Sequence, residues 1–205
     1  MAFWKRRRDE ASSRGLPADW EARASTLVTW FDGLVDEERT QIGELAERLL
    51  TEKRWEAARG FELTDDIRLT IALQASLLVL GLGFDHYRRV GTIIVHPTTL
   101  VLEGERVAAP GLRTDEPLSV LGIADHAEGP VVIAWDEAHR NARHPERGFD
   151  VVFHEFAHKL DMLDDVVDGT PPLDTREEHE EWVRVCTEEF EALRRGEGGH
   201  LLSSY

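Results

Sequence analysis

The stretch from Gly148 to Asp161, GFDVVFHEFAHKLD, constrains the fold more than any other. Val151, Val152, Phe153, Phe156, Ala157 and Leu160 surround a polar trio, His154, Glu155 and His158, on more than one side. A helix apolar nearly all round is a buried helix, so other elements must wrap around this one. Polar groups inside such a helix need partners, because each unpaired one costs about 1–3 kcal/mol or more. In His154-Glu155-Phe156-Ala157-His158 the imidazoles stand four residues apart, one above the other on one helical face. There they can share a Zn²⁺, with Zn–N bonds of about 2.0–2.1 Å. Glu155 directly follows the first ligand, the position of the general base in HExxH hydrolases. The competing arrangement is a pair of core histidines bonded to backbone carbonyls, with Glu155 facing water. With nine histidines in the chain an isolated HExxH carries moderate weight, and the apolar flanks add to it. The pattern points to a metal-dependent hydrolase, foremost a peptidase.

Upstream, the spacing predicts helices over Pro17–Leu34, Asp36–Trp55 and Ile67–Leu80. The third has Thr64-Asp65-Asp66 as its N-cap signature, and Gly81 and Gly83 end it. It is apolar on most sides, which places it at the centre. From Arg88 the texture changes to β-branched runs. Strands are expected over Val90–His96, Thr99–Val107 and Gly129–Trp135, with a short helix or turn at Asp136–His144. A last helix, Thr175–Arg195, is charged outside, with Trp182, Val185, Phe190 and Leu193 expected inside. The fold class is therefore α+β, with helices first, then a small sheet, then the HExxH helix.

Composition narrows the function. With 24 basic and 40 acidic residues the net charge is −16, which disfavours nucleic acid or an anionic membrane as a direct partner. The basic segment Lys5–Arg8 is followed by Asp9 and Glu10 rather than by an apolar run, so residues 1–15 are expected to form a disordered tail and not a signal peptide. Residues 16–205 are expected to form one domain. The most apolar run, Ile71–Phe84, is too short to span a bilayer. The single Cys186 cannot form an internal disulfide, which fits a reducing compartment and a cytoplasmic setting.

GPVVIAW at 129–135, FDVVFHEFAHKLDMLDD at 149–165 and DGTPPL at 168–173 resemble the MtfA family of zinc peptidases, as does GFEL at 60–63. The HEFAHKLD segment is the most specific of these. The resemblance implies a zincin-like core, related in fold to the catalytic domain of anthrax lethal factor. It also implies aminopeptidase-type activity in a bacterial cytoplasm and one Zn²⁺ per chain. The family is named for binding the repressor Mlc, through which it affects sugar phosphotransferase gene expression. Carried onto this chain, His154 and His158 would be zinc ligands, Glu155 the catalytic base and Tyr205 the residue that steadies the oxyanion. Asp161, one turn beyond His158, would either orient a ligand imidazole or be an ordinary solvated carboxylate. The strand at 131–135 would be an edge along which a peptide substrate lies.

A catalytic zinc takes three protein ligands. In the family pattern the third is a glutamate a few residues after the tyrosine, a position beyond residue 205. The expectation is a chain shortened at its C-terminus, with Glu177, Glu178, His179, Glu180 and Glu181 as rival donors inside it. A different class of function also fits the family's repressor binding. In that reading the chain is a non-catalytic binding protein that sequesters a transcriptional repressor, its acidic surface suiting a basic partner.

Overall fold

The computed structural model describes residues 15–58, 60–102, 106–109, 112–114, 118–120, 122–123, 129–165 and 168–197. Six α-helices lie among them: α1 (Trp20–Leu27), α2 (Asp36–Glu52), α3 (Asp65–Leu78), α4 (Trp135–Arg143), α5 (Val151–Asp161) and α6 (Arg176–Arg194). The strands are β1 (Arg54–Ala57), β2 (Thr92–His96), β3 (Leu100–Leu102), β4 (Arg106–Ala109), β5 (Leu112–Thr114), β6 (Leu118–Val120), β7 (Gly122–Ile123) and β8 (Val131–Ala134). The fold is mixed helix and sheet, as the sequence texture predicts. Neither the basic segment before residue 15 nor Tyr205 belongs to the described residues.

Helix α3 is the axis of the core. Every residue from Ile67 to Ser76 is buried, and α1, α2, α4 and α5 all pack on it. Its start is fixed by Thr64, whose hydroxyl accepts the Ile67 N–H at 3.3 Å. Against this layer lies a four-stranded sheet in the order β1-β2-β8-β7. The β1–β2 and β2–β8 ladders are parallel, in the registers Trp55↔Ile93 and Ile93↔Val131. Parallel strands need crossovers, and α3 supplies the one between β1 and β2. Two short antiparallel ladders, β3–β6 and β4–β5, stand outside this sheet.

Several expectations are corrected. The first helix ends at Leu27 because Val28 turns extended, at φ −131° and ψ 124°. The N–H of Thr29 then donates to the Ala142 carbonyl at 3.2 Å instead of continuing the helix. The second helix ends at Glu52, and Trp55 becomes the buried residue of β1, its indole N–H donating to the Leu49 carbonyl at 3.0 Å. The run expected as one strand over 99–107 contributes to two, β3 and β4. β8 is not an edge: β2 pairs on one side, and β7 covers Val132 and Ile133 on the other. With Val131, Ile133 and Ala134 buried, it has the all-apolar character of an interior strand.

Helix α6 departs furthest from expectation, since none of its residues is buried. Trp182 and Leu193 are half-buried, while Val185 is 42% and Phe190 58% exposed. Local pairs support it instead. Thr175 and Glu178 form a capping box, and Arg184 bridges Glu181 and Glu188. Phe190→Ser is therefore expected to change stability by no more than about 0.5 kcal/mol, the range for exposed sites. A calorimetric midpoint lowered by many degrees would show that this face is packed.

Candidate metal centre

Four backbone N–H groups at the start of a helix have no partner within it, and in α5 the first three are met by side chains. Asn141, buried on α4, accepts the Val151 N–H through Oδ1 at 3.0 Å. The N-cap Asp150 accepts Val152 and Phe153 through Oδ1 at 2.8 and 3.1 Å. Its other carboxylate oxygen accepts the amide N–H of Gln74, a fully buried side chain of α3. The fourth N–H, that of His154, donates to the Asp150 carbonyl at 2.9 Å and opens the regular helical ladder. Burial raises the Asp150 carboxyl above its ordinary range.

The far end of α5 is held as firmly. Arg89 donates to the Met162 carbonyl at 2.8 Å and to Asp165 at 2.6 Å. Asp161 accepts the backbone N–H groups of Asp168 and Gly169, at 3.2 and 2.7 Å. Its carboxylate thus pins the following loop through Oδ1, and the residue is buried, not an ordinary solvated carboxylate. Along the inner face Phe156 meets the Tyr87 ring edge-on, with centroids 5.0 Å apart. The Tyr87 hydroxyl donates to the Ala75 carbonyl at 2.7 Å.

Burial on α5 is one-sided, where the sequence predicts a helix enclosed nearly all round. Val151, Val152, Glu155, Phe156, Lys159, Leu160 and Asp161 are buried, whereas His154 is exposed and His158 half-buried. The two imidazoles converge, Nε2 to Nε2 at 3.2 Å, with their rings nearly perpendicular at 83°. Two nitrogens on one tetrahedral zinc at bond lengths of about 2.0–2.1 Å stand about 3.3–3.4 Å apart, so the pair fits that ion. Partial desolvation of the ring and the neighbouring His158 lower the pKa of His154, favouring the neutral, ligating form. The alternative with both histidines on backbone carbonyls and Glu155 in water does not hold. Glu155 is only 4% exposed. Burial pushes its carboxyl up to about 7, against the opposing pull of Lys159. Lys159 is itself buried, its Nζ donating to the Gly129 carbonyl just before β8 at 2.9 Å.

Among the described residues no third His, Cys, Asp or Glu joins this pair. Glu177, Glu178, His179, Glu180 and Glu181 all lie exposed on α6, and Glu178, Glu180 and Glu181 are engaged in local bonds. His126 lies outside the described residues. His139 stacks on Trp135, and His144 pairs with Glu146. Sequence reasoning missed Asn141, Asp150 and Gln74. Asp150 carries a readable signal, an Asp immediately before an apolar helical run. Gln74 is marked only as a polar residue within an apolar helix.

A family model described as "Glucose-regulated metallo-peptidase M90" matches residues 1–205. An "uncharacterized protein" of Synechocystis is 30% identical over 91% of this chain and 68% of its own length. A Cronobacter sakazakii protein named "Mlc titration factor A" is 31% identical over 78% of this chain and 59% of its own. An Escherichia fergusonii protein of the same name is 30% identical over 86% and 65%. The chain thus spans roughly 59–68% of the length of these relatives.

Proposed function

The chain belongs to the glucose-regulated metallo-peptidase M90 family, and on that premise we propose that it is a zincin-like zinc peptidase of aminopeptidase type, acting in the cytoplasm. The observation that carries this reading is the 3.2 Å convergence of His154 and His158 beside the buried Glu155. His154 and His158 would hold the ion. A third donor would come from outside the described residues, in keeping with the family pattern of a downstream glutamate. Zinc in such a site supplies Lewis acidity and makes water acidic near neutral pH.

Glu155 accepts the proton of the attacking water and returns it to the leaving amine, a task suited to a carboxyl poised near neutrality. Its burial excludes bulk water from that proton. Tyr205 would donate a hydrogen bond to the developing oxyanion. Because β8 is interior, an extended peptide does not pair with it as an added strand, and the substrate is read from the exposed His154 side of α5.

A second reading rests on the name of the Cronobacter and Escherichia relatives. It assigns this chain the binding of an Mlc-type transcriptional repressor, with or without turnover. Zinc content after dialysis tests the first reading. About one equivalent in the parent would place the third donor within residues 1–205, and little or none would place it beyond residue 205. In whichever form binds zinc, His158→Ala should weaken binding by more than the about 10–100-fold typical of disturbing an outer-shell partner. A His158→Ala protein that retains the parent's zinc would refute the ligand assignment. Repressor capture that survives in His158→Ala would favour the second reading.

A further inference from the structure

We propose that Gln74 and Asp150 are positioning residues that set the approach of the His154 and His158 imidazoles. This rests on the metallopeptidase reading only for its effect on zinc. The cap carboxylate faces two ways. One oxygen takes the N–H groups of Val152 and Phe153, and the other takes the Gln74 amide from the buried helix α3. The backbone carbonyl of the same residue receives the N–H of His154. The start of α5, and with it the first imidazole, is thereby tied to the most deeply buried element of the fold. One residue of slippage would advance α5 by about 1.5 Å and rotate it by about 100°, moving both histidines off their face.

Gln74 is costly where it stands. It is fully buried, and its Oε1 has no hydrogen-bond partner. A buried acceptor left unmade is unfavourable, and an aliphatic side chain would suit the apolar surroundings of α3 better. What the amide provides is a donor for the second oxygen of the cap. An acid at position 74 would set carboxylate against carboxylate. Exchanging both groups, with the acid on α3 and the amide on the cap, restores a donor–acceptor pair, and the Asn oxygen still caps Val152 and Phe153.

The test uses the full chain with three measurements: zinc affinity by competition with a chromophoric chelator, melting temperature, and the imidazole nitrogen signals of His154 and His158. Gln74→Glu is expected to fold, to weaken zinc binding by about 10–100-fold and to shift both imidazole signals. Gln74→Glu/Asp150→Asn should return zinc affinity to within about threefold of the parent, well inside that range. The proposal is overturned if folded Gln74→Glu binds zinc like the parent. It is equally overturned if the double variant melts like the parent yet stays about tenfold weaker. A parent that retains no zinc would place the third donor beyond residue 205 and move the metallopeptidase reading to a chain that carries it. The imidazole signals then decide this proposal alone, and unchanged signals in Gln74→Glu would end it. If Gln74→Glu fails to fold, Gln74→Met removes the same donor without adding charge and is held to the same readouts.

Discussion

Glu155→Gln is expected to yield a folded, zinc-holding protein that hydrolyses peptides about 10²–10⁴-fold more slowly, the usual contribution of a positioned acid–base group. Gln keeps the size and planarity of the side chain but cannot take up and return a proton. The ligating histidines are untouched, so metal content should match the parent. Stability should not suffer, because burial opposes the charged form of this carboxyl and a neutral amide removes that conflict. The metal-free variant should therefore melt no lower than the parent. Turnover of amino-acid and short-peptide chromogenic substrates, read beside zinc content and calorimetry, checks each part. A zinc-loaded variant that keeps most of the parent's turnover would exclude Glu155 as the proton carrier.

Phe156→Ala should be the most damaging single change to the fold. The ring, carried by α5, is wholly buried against Tyr87. Truncating a buried Phe costs about 3–5 kcal/mol, and the edge-on aromatic contact is lost with it. Against a total stability of about 5–15 kcal/mol, that is a large share. For a chain of this size it corresponds to a melting point lower by roughly 6–20 °C. Loosening α5 should also weaken the grip of the imidazole pair. A midpoint within about 2 °C of the parent, no more than a surface change would give, would mean that this contact does not hold the helix.

Local patterns were legible in the sequence. The Thr64 cap and a helix apolar on most sides identify α3 as central, and the four-residue spacing of HEFAH sets the two imidazoles on one face. What escaped was decided by distant partners. Thr29 leaves the helix because Ala142, far along the chain, offers a carbonyl. Trp55 reads as the next apolar position of α2 until β2 is present to pair with its backbone. The apolar residues of α6 imitate an inward face, but helical periodicity says nothing about whether a neighbour exists to cover it. Asp161 could be read as an ordinary solvated carboxylate because the loop that its Oδ1 holds lies seven and eight residues further on. The support of the candidate centre escaped for the same reason. Asn141 and Gln74 are unremarkable in their own helices, and only the fold brings them to the start of α5.

The order of the parallel strands also governs when the centre can assemble. β2 must wait for β8, a strand 35 residues further along the chain by the end of β2 at His96 and the start of β8 at Val131. During synthesis at about 5–20 residues per second, the apolar α3 and the open side of β2 emerge before their cover exists. Such pairings between distant segments close slowly. The nascent chain therefore passes through an interval in which it can engage a chaperone or another copy of itself, and α5, synthesised after β8, can take its seat only once that strand has emerged.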